Sequence, residues 1–122
     1  MTQTELNEVL RKHKLWLDGK EGGERANMRD ADLQGADMRD ANMQRANIDY
    51  SAWPLWCGSL TAHVDDRIAI QLLYHTLSVV QYSPYVSDEL KRTLLTEPVV
   101  DIANRFHRVD ECGALETYKE EE

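Results

Sequence analysis

The spacing of hydrophobic residues changes twice along this chain. In residues 1–19 apolar positions recur at helical spacing, and one stripe contains Leu6, Val9, Leu10, His13 and Leu17. Thr2 and Thr4 are N-cap candidates, and Gly19 follows as a stop signal. The pattern predicts an amphipathic N-terminal helix.

From residue 24 the period becomes five, and the chain reads RANMR, DADLQ, GADMR, DANMQ, RANID and YSAWP. One position holds a small residue: Ala26, Ala31, Ala36, Ala41, Ala46 and Ser51. Two residues later comes a large apolar one: Met28, Leu33, Met38, Met43, Ile48 and Trp53. A period of five rotates the apolar stripe by about 140° per repeat on an α-helix, so no single face would be buried. We call residues 24–53 the repeat segment.

This pattern resembles the pentapeptide-repeat family, whose motif is A-(D/N)-L-x-x. The resemblance implies a coil with four short faces, one repeat per face, with the apolar centre inward. The Asn or Asp before each centre is expected to hydrogen-bond nearby backbone at the corners. We therefore predict a mixed α and β fold, with a short right-handed quadrilateral β-helix of about one and a half coils.

Beyond the repeats, Trp53, Leu55 and Trp56 are expected to seal the open end of the coil. From Asp65 the helical period returns, and two apolar stripes predict a helix buried on two sides: Ile68, Leu72, His75, Thr76 and Val79, beside Ala69, Leu73, Leu77 and Val80. Two more helices follow, one capped by Ser87 and one beginning at Glu97-Pro98. In the last of them, the residues predicted to point inward are Val99, Ile102, Ala103 and Phe106.

These elements predict three parts. Residues 1–23 form an N-terminal capping helix and loop, residues 24–60 the pentapeptide-repeat coil with its cap, and residues 61–122 a three-helix subdomain with an acidic tail. The terminal parts are expected to cap the coil, because short solenoids need covered ends.

Composition indicates a folded domain, with 42% hydrophobic and 30% charged residues. The net charge of −8 repels phosphate backbones, so direct nucleic-acid binding is not expected and a basic partner is favoured. The tail residues Glu116, Glu120, Glu121 and Glu122 are expected to be solvated. No signal peptide or membrane span is apparent, and cytoplasmic location is expected, in the host cell if the chain is phage-encoded.

Five residues suggest a structural zinc site: Cys57, His63, His75, His107 and Cys112. His75 and His107 lie at positions predicted to point inward, so we predict the ligands Cys57, His75, His107 and Cys112, with His63 as the alternate. The sequence lacks C-x-x-C, and buried His and Cys commonly serve as ordinary core residues. Both interpretations stay open.

Enzymatic activity is not expected. The chain has no G-x-x-x-x-G-K-S/T loop and no G-x-G-x-x-G turn, and nothing marks an oxyanion hole beside either cysteine. The adjacent acids Asp65 and Asp66 fit a helix cap better than an acid and base pair.

Members of the resembled family are often interaction proteins, and some long acidic ones mimic DNA at type II topoisomerases. Here one and a half coils would span about 7 Å, or two base pairs, so mimicry cannot rest on the coil alone. The runs DDRIAIQLLYH and NRFHRVDECG also resemble helical tails in small temperate-phage proteins. We expect a phage-type accessory or inhibitor that binds a host nucleic-acid-processing enzyme, such as a CRISPR nuclease (an anti-CRISPR role) or a topoisomerase. The alternative is a structural or assembly module with no inhibitory role.

Overall fold

The structure, a computed structural model, describes residues 1–120, which divide into two compact units: the first is Met1–Asp65 and the second begins at Asp66. The first unit contains helix α1 (Gln3–Leu17), the repeat segment and a 3-10 turn at Cys57–Ser59. The second contains α2 (Asp66–Tyr82), α3 (Asp88–Leu94), α4 (Glu97–Ala103) and α5 (Val109–Cys112). The three-part division predicted from the sequence stays a prediction.

Helix α1 begins and ends as its sequence predicts. The Thr2 hydroxyl oxygen accepts the Glu5 N–H at 3.1 Å, and the chain leaves the helix through Gly19 at a φ of 67°. The helix is fixed to the repeats by Gln3, whose side-chain amide donates to the Asp37 carbonyl at 2.9 Å and accepts the Asp37 N–H at 2.8 Å. A buried stripe that includes Leu6 faces the core.

Each pentapeptide closes with a tight turn. The carbonyl of the apolar centre accepts the N–H three residues on, as from Ala31 to Met28 at 3.1 Å. Two residues lie between this carbonyl and this N–H, and the second of them has a positive φ in five consecutive repeats. These residues are Asp30, Gly35, Asp40, Arg45 and Tyr50. A positive φ at the third turn position is the signature of a type II turn. The chain therefore changes direction every five residues.

Polar side chains hold these turns, as predicted. In five repeats the side-chain oxygen before the apolar centre accepts the N–H two residues on, at 2.9–3.1 Å. The acceptors are Asn27, Asp32, Asp37, Asn42 and Asn47. The apolar centres Met28, Leu33, Met38, Met43 and Ile48 are buried, which confirms their inward orientation.

The predicted quadrilateral β-helix is wrong. Within residues 1–120 the chain forms no strand, and its β-bridges are isolated and parallel: Asn27 with Asn47, Asp32 with Ala52, and Asn42 with His63. The physical reason is the turn in every repeat, which leaves about one residue free to pair before the backbone bends away. A strand requires several consecutive pairs.

Residues 54–60, which we call the closing segment, also differ from expectation. Leu55 and Trp56 do not seal the repeats, because both are exposed, and Pro54 is buried in their place. Two large side chains are thereby left at the surface of the first unit.

In the second unit α2 packs against α3 and α4. Its buried stripe is Ile68, Gln71, Tyr74, Leu77 and Val80. The predicted burial on two sides is wrong, since His75, Thr76 and Val79 are exposed. Helices α3 and α4 have 7 residues each, too short to surround a helix of 17.

Helices α3 and α4 begin where their capping residues predict, but one residue of α4 that was predicted to be buried is exposed. Ser87 caps α3 by accepting the Leu90 N–H at 3.2 Å, as predicted, and Pro98 lies in the first turn of α4. Ile102, predicted to point inward, is exposed, whereas Val100 on the other side of α4 is buried.

The C-terminal segment completes the core of the second unit. Leu115 is buried among Tyr74, Leu95 and Phe106. The Asn104 side chain accepts the Leu115 N–H at 2.7 Å and donates to its carbonyl at 3.0 Å. Of the acidic tail predicted to be solvated, Glu120 pairs with Arg92 at 2.7 Å, Glu116 is exposed, and Glu121 and Glu122 lie outside the described residues.

No helix within residues 1–120 is both long enough and apolar enough to cross a membrane.

Candidate protein-binding surface

The closing segment presents large apolar side chains to solvent. Leu55 is 94% exposed, Leu60 76% and Trp56 44%. A single exposed apolar residue is ordinary, but clustered ones mark interaction sites more often. Three within six consecutive residues make this segment a candidate contact surface.

Trp56 is held in a fixed position although much of its ring is exposed. Its indole N–H donates to the Ala36 carbonyl at 2.8 Å. Gly58 lies against the indole ring, and a Cβ atom at that position would overlap the ring. The 3-10 turn at Cys57–Ser59 therefore needs glycine at its centre to bring backbone and ring together. These two contacts fix the position of the indole ring.

Arg39 extends the surface beside this tryptophan. Its guanidinium carbon lies 5.9 Å from the Trp56 ring centroid, within cation–π range. The guanidinium makes two bonds to the Asp37 carboxylate, at 2.7 Å and 3.0 Å. Gln3 of α1 bonds to the Asp37 backbone, so a series of contacts leads from α1 through Asp37 and Arg39 to Trp56. We name Arg39, Leu55, Trp56 and Leu60 the Trp56 surface.

Two further arginines of the repeat segment lie over aromatic rings. Arg29 is 4.6 Å from the ring centroid of Tyr50, and Arg45 is 4.9 Å from that of Trp16. Arg, Trp and Tyr dominate the energetic centres of protein–protein interfaces. Several exposed positions of the first unit therefore carry the residue types that are common at protein contact surfaces.

The bond to Arg39 predicts the titration of Asp37. The guanidinium, and then the Arg39 backbone N–H, lower the pKa of the carboxyl from 3.8 to about 2. Because the pKa of Asp37 lies below its ordinary value, the ion pair is fully formed above pH 3.8 and is lost as the pH falls through about 2. We expect an NMR titration of the Asp37 carboxyl carbon to give a midpoint near that value, and Arg39→Gln to raise the midpoint toward 3.8. Arg29→Gln is the control, and equal midpoints in both variants would contradict the pairing.

The predicted zinc ligands are distributed over both units. Cys57 and His63 are exposed in the first unit, and His75, His107 and Cys112 are exposed in the second. The His75 and His107 rings lie 5.4 Å and 4.9 Å from the Phe106 ring. The Cys112 sulfur lies 3.9 Å from an Arg108 nitrogen.

The structure does not support the zinc site. In the part of the chain that it describes, no three His, Cys, Asp or Glu side chains form a group that could hold a metal ion. The predicted inward orientation of His75 and His107 is wrong. On α2 the buried stripe passes through Tyr74, and α4 ends at Ala103, so the helical projection from Ala103 to His107 does not apply. Phe106 occupies the buried position instead.

Sequence reasoning gave no role to His13, which is completely buried. Its Nδ1 atom accepts the Ala26 N–H at 2.9 Å, so Nε2 carries the hydrogen and donates to the Gln44 carbonyl at 2.7 Å. One imidazole thus joins α1 to two repeats. The signal was its place on the apolar stripe of α1. The exposure of Leu55 has no comparable signal, because an apolar residue next to tryptophan suggests a core.

Comparison with known proteins identifies the middle of the chain. The family model described as "Pentapeptide repeats (8 copies)" matches residues 24–51, and such repeats are generally protein-interaction modules. The match includes neither the closing segment nor the second unit. No curated protein and no solved structure matches the chain. Residues 24–51 of this chain are therefore identified as pentapeptide repeats.

Proposed function

We propose that this chain is a non-enzymatic binding protein that docks on a partner protein through the Trp56 surface. The observation that carries the proposal is the fixed indole of Trp56 beside the almost fully exposed Leu55. A side chain that is already ordered loses little conformational entropy on binding. Burial of an aliphatic side chain such as Leu55 contributes about 1.5–3 kcal/mol.

The net charge of −8 supports a basic partner. Proteins that act on nucleic acids carry basic surfaces that bind phosphates. An acidic protein bound at such a surface excludes the nucleic acid, so we propose an accessory or inhibitor of phage type that acts on a host nucleic-acid-processing enzyme. The cytoplasm is the compartment that we favour, since the two exposed cysteines are free thiols.

Capture from a nuclease-treated bacterial lysate tests the proposal. The baits are the full chain, Leu55→Asp, and a control, Leu90→Asp, which changes an exposed leucine on α3. We expect the full chain and the control to capture the same basic protein. Leu55→Asp should bind it about 100-fold more weakly, because the apolar contact of Leu55 is lost and a charged carboxylate must be desolvated at the interface. Equal capture by all three baits would contradict the assignment of the surface.

Competition and activity assays separate an inhibitor from an assembly module. If the chain is an inhibitor, added nucleic acid should displace it from the captured protein, and the bound chain should lower that protein's activity on nucleic acid. A captured protein that binds nucleic acid and the chain at the same time, with unchanged activity, would contradict inhibition.

A further inference from the structure

Helix α2 exposes a face without charged residues. The sequence contains no Asp, Glu, Lys or Arg between Arg67 and Asp88, although 30% of the chain is charged. On this face Val79 is 69% exposed and Tyr82 is 72% exposed. The centres of protein–protein interfaces are depleted of charge and enriched in tyrosine. The face therefore has the composition of an interface centre.

The residues on this face are arranged symmetrically. The stripe contains Ala69, Leu72, His75, Thr76, Val79 and Tyr82, at spacings that place them on one side of a helix. Its midpoint falls between His75 and Thr76. If the stripe is turned end for end about that point, Leu72 meets Val79, and Ala69 meets Tyr82. The smallest side chain is then opposite the largest, as close packing of two helices requires.

The environment of Ala69 offers space for that tyrosine. Beside Ala69 lies a groove of about 330 Å³ between α2 and α4. Its apolar walls are Ile70, Leu73 and Ile102, and Asp66 and Arg105 form its polar edge. A tyrosine ring entering the groove would contact aliphatic side chains, and its hydroxyl would meet a charged partner. One chain therefore carries both the projecting side chain, Tyr82, and a groove that fits it.

We propose that two copies of this chain associate through their α2 helices, antiparallel about a two-fold axis between His75 and Thr76. Such an interface is isologous, because each copy supplies the same residues to the other. The absence of charge along the stripe matters for a chain of net charge −8, since the stripe itself sets no carboxylate against a second copy, and Asp66 at the edge of the groove lies with Arg105. The remaining repulsion between the copies is screened by salt, so association should strengthen as ionic strength rises.

Sedimentation equilibrium of the full chain tests the association. We expect a mass that rises with concentration from 14.1 kDa to twice that value, and at lower concentration in high salt. Tyr82→Glu should weaken association at least about tenfold, whereas Leu90→Glu, at an exposed position on α3, should leave it unchanged. A full chain that stays at 14.1 kDa up to about 1 mM, a concentration that detects very weak pairing, would overturn the proposal. So would a dimer that Tyr82→Glu does not weaken.

Cysteine cross-linking tests the register independently of any loss of stability. In a Cys57→Ser and Cys112→Ser background, Thr76→Cys lies next to the two-fold axis and should form a disulfide between copies on oxidation. Thr93→Cys, exposed on α3, is the control and should not. Circular dichroism of each variant checks that helix content is unchanged. If the Thr93→Cys variant cross-links and the Thr76→Cys variant does not, the two copies do not pair through α2. The exposed face of α2 would then bind a different protein.

Discussion

His13→Phe is expected to lower the free energy of unfolding of the Met1–Asp65 unit by about 3 kcal/mol. Phenylalanine keeps the ring but can neither accept the Ala26 N–H nor donate to the Gln44 carbonyl. A buried polar group that loses its partner costs about 1–3 kcal/mol, and the variant leaves two such groups. The loss of free energy of unfolding should therefore exceed the loss caused by a substitution at an exposed position of the same helix.

Urea denaturation followed by tryptophan fluorescence measures this loss. The 3 tryptophans of the chain, Trp16, Trp53 and Trp56, all belong to the first unit, so the signal reports on that unit. The control is Lys14→Leu, an exposed position on the same helix. If the two variants unfold at the same urea concentration, the role given to His13 is wrong.

Leu115→Ala should destabilise the second unit by about 3 kcal/mol, within the range for large-to-small core substitutions. Leu115 is only 4% exposed, and it lies in a segment outside the helices that Asn104 holds through two hydrogen bonds. The loss removes contacts with Phe106 and Tyr74, which stack at 4.6 Å in the same cluster. The tail is thus expected to act as part of the core.

Thermal unfolding followed by far-ultraviolet circular dichroism suits this variant, because four helices belong to the second unit. Glu116→Ala is the matched control, since that neighbouring side chain is exposed. Equal melting temperatures for the two variants would show that the segment does not stabilise the helices.

Local signals in the sequence predicted local structure well. The period of five gave the buried centres of the repeats, and the Asn or Asp before each centre gave the hydrogen bonds that hold the turns. Caps at Thr2 and Ser87 gave the starts of two helices. In each case residues a few positions apart determine the geometry, so no knowledge of distant contacts is needed.

The failures concern distant contacts or chain direction. Strands were predicted from the resemblance to a repeat family, but the turn at the end of every repeat leaves only isolated bridges. His75 was placed inward because two stripes of α2 are apolar, but the short neighbours α3 and α4 cover one side. His107 was projected along a helix that ends at Ala103. Burial of Leu115 depends on Asn104, a pairing that spacing alone does not reveal.

The Trp56 surface was missed for a related reason. Leu55 and Trp56 have the composition of a core, and only the backbone between Pro54 and Gly58 decides that Pro54 turns inward. Once the indole bonds to the Ala36 carbonyl, Leu55 remains in solvent. The residue types therefore predicted that Leu55 and Trp56 are buried, whereas the structure leaves both exposed.

Hydrogen–deuterium exchange of the chain, free and bound to its captured partner, tests the central claim most directly. We predict that binding slows exchange at residues 55–60 and at Arg39, while α3, at Asp88–Leu94, exchanges at the same rate in both states. Slower exchange confined to the second unit, with residues 55–60 unchanged, would contradict the claim that the Trp56 surface binds the partner.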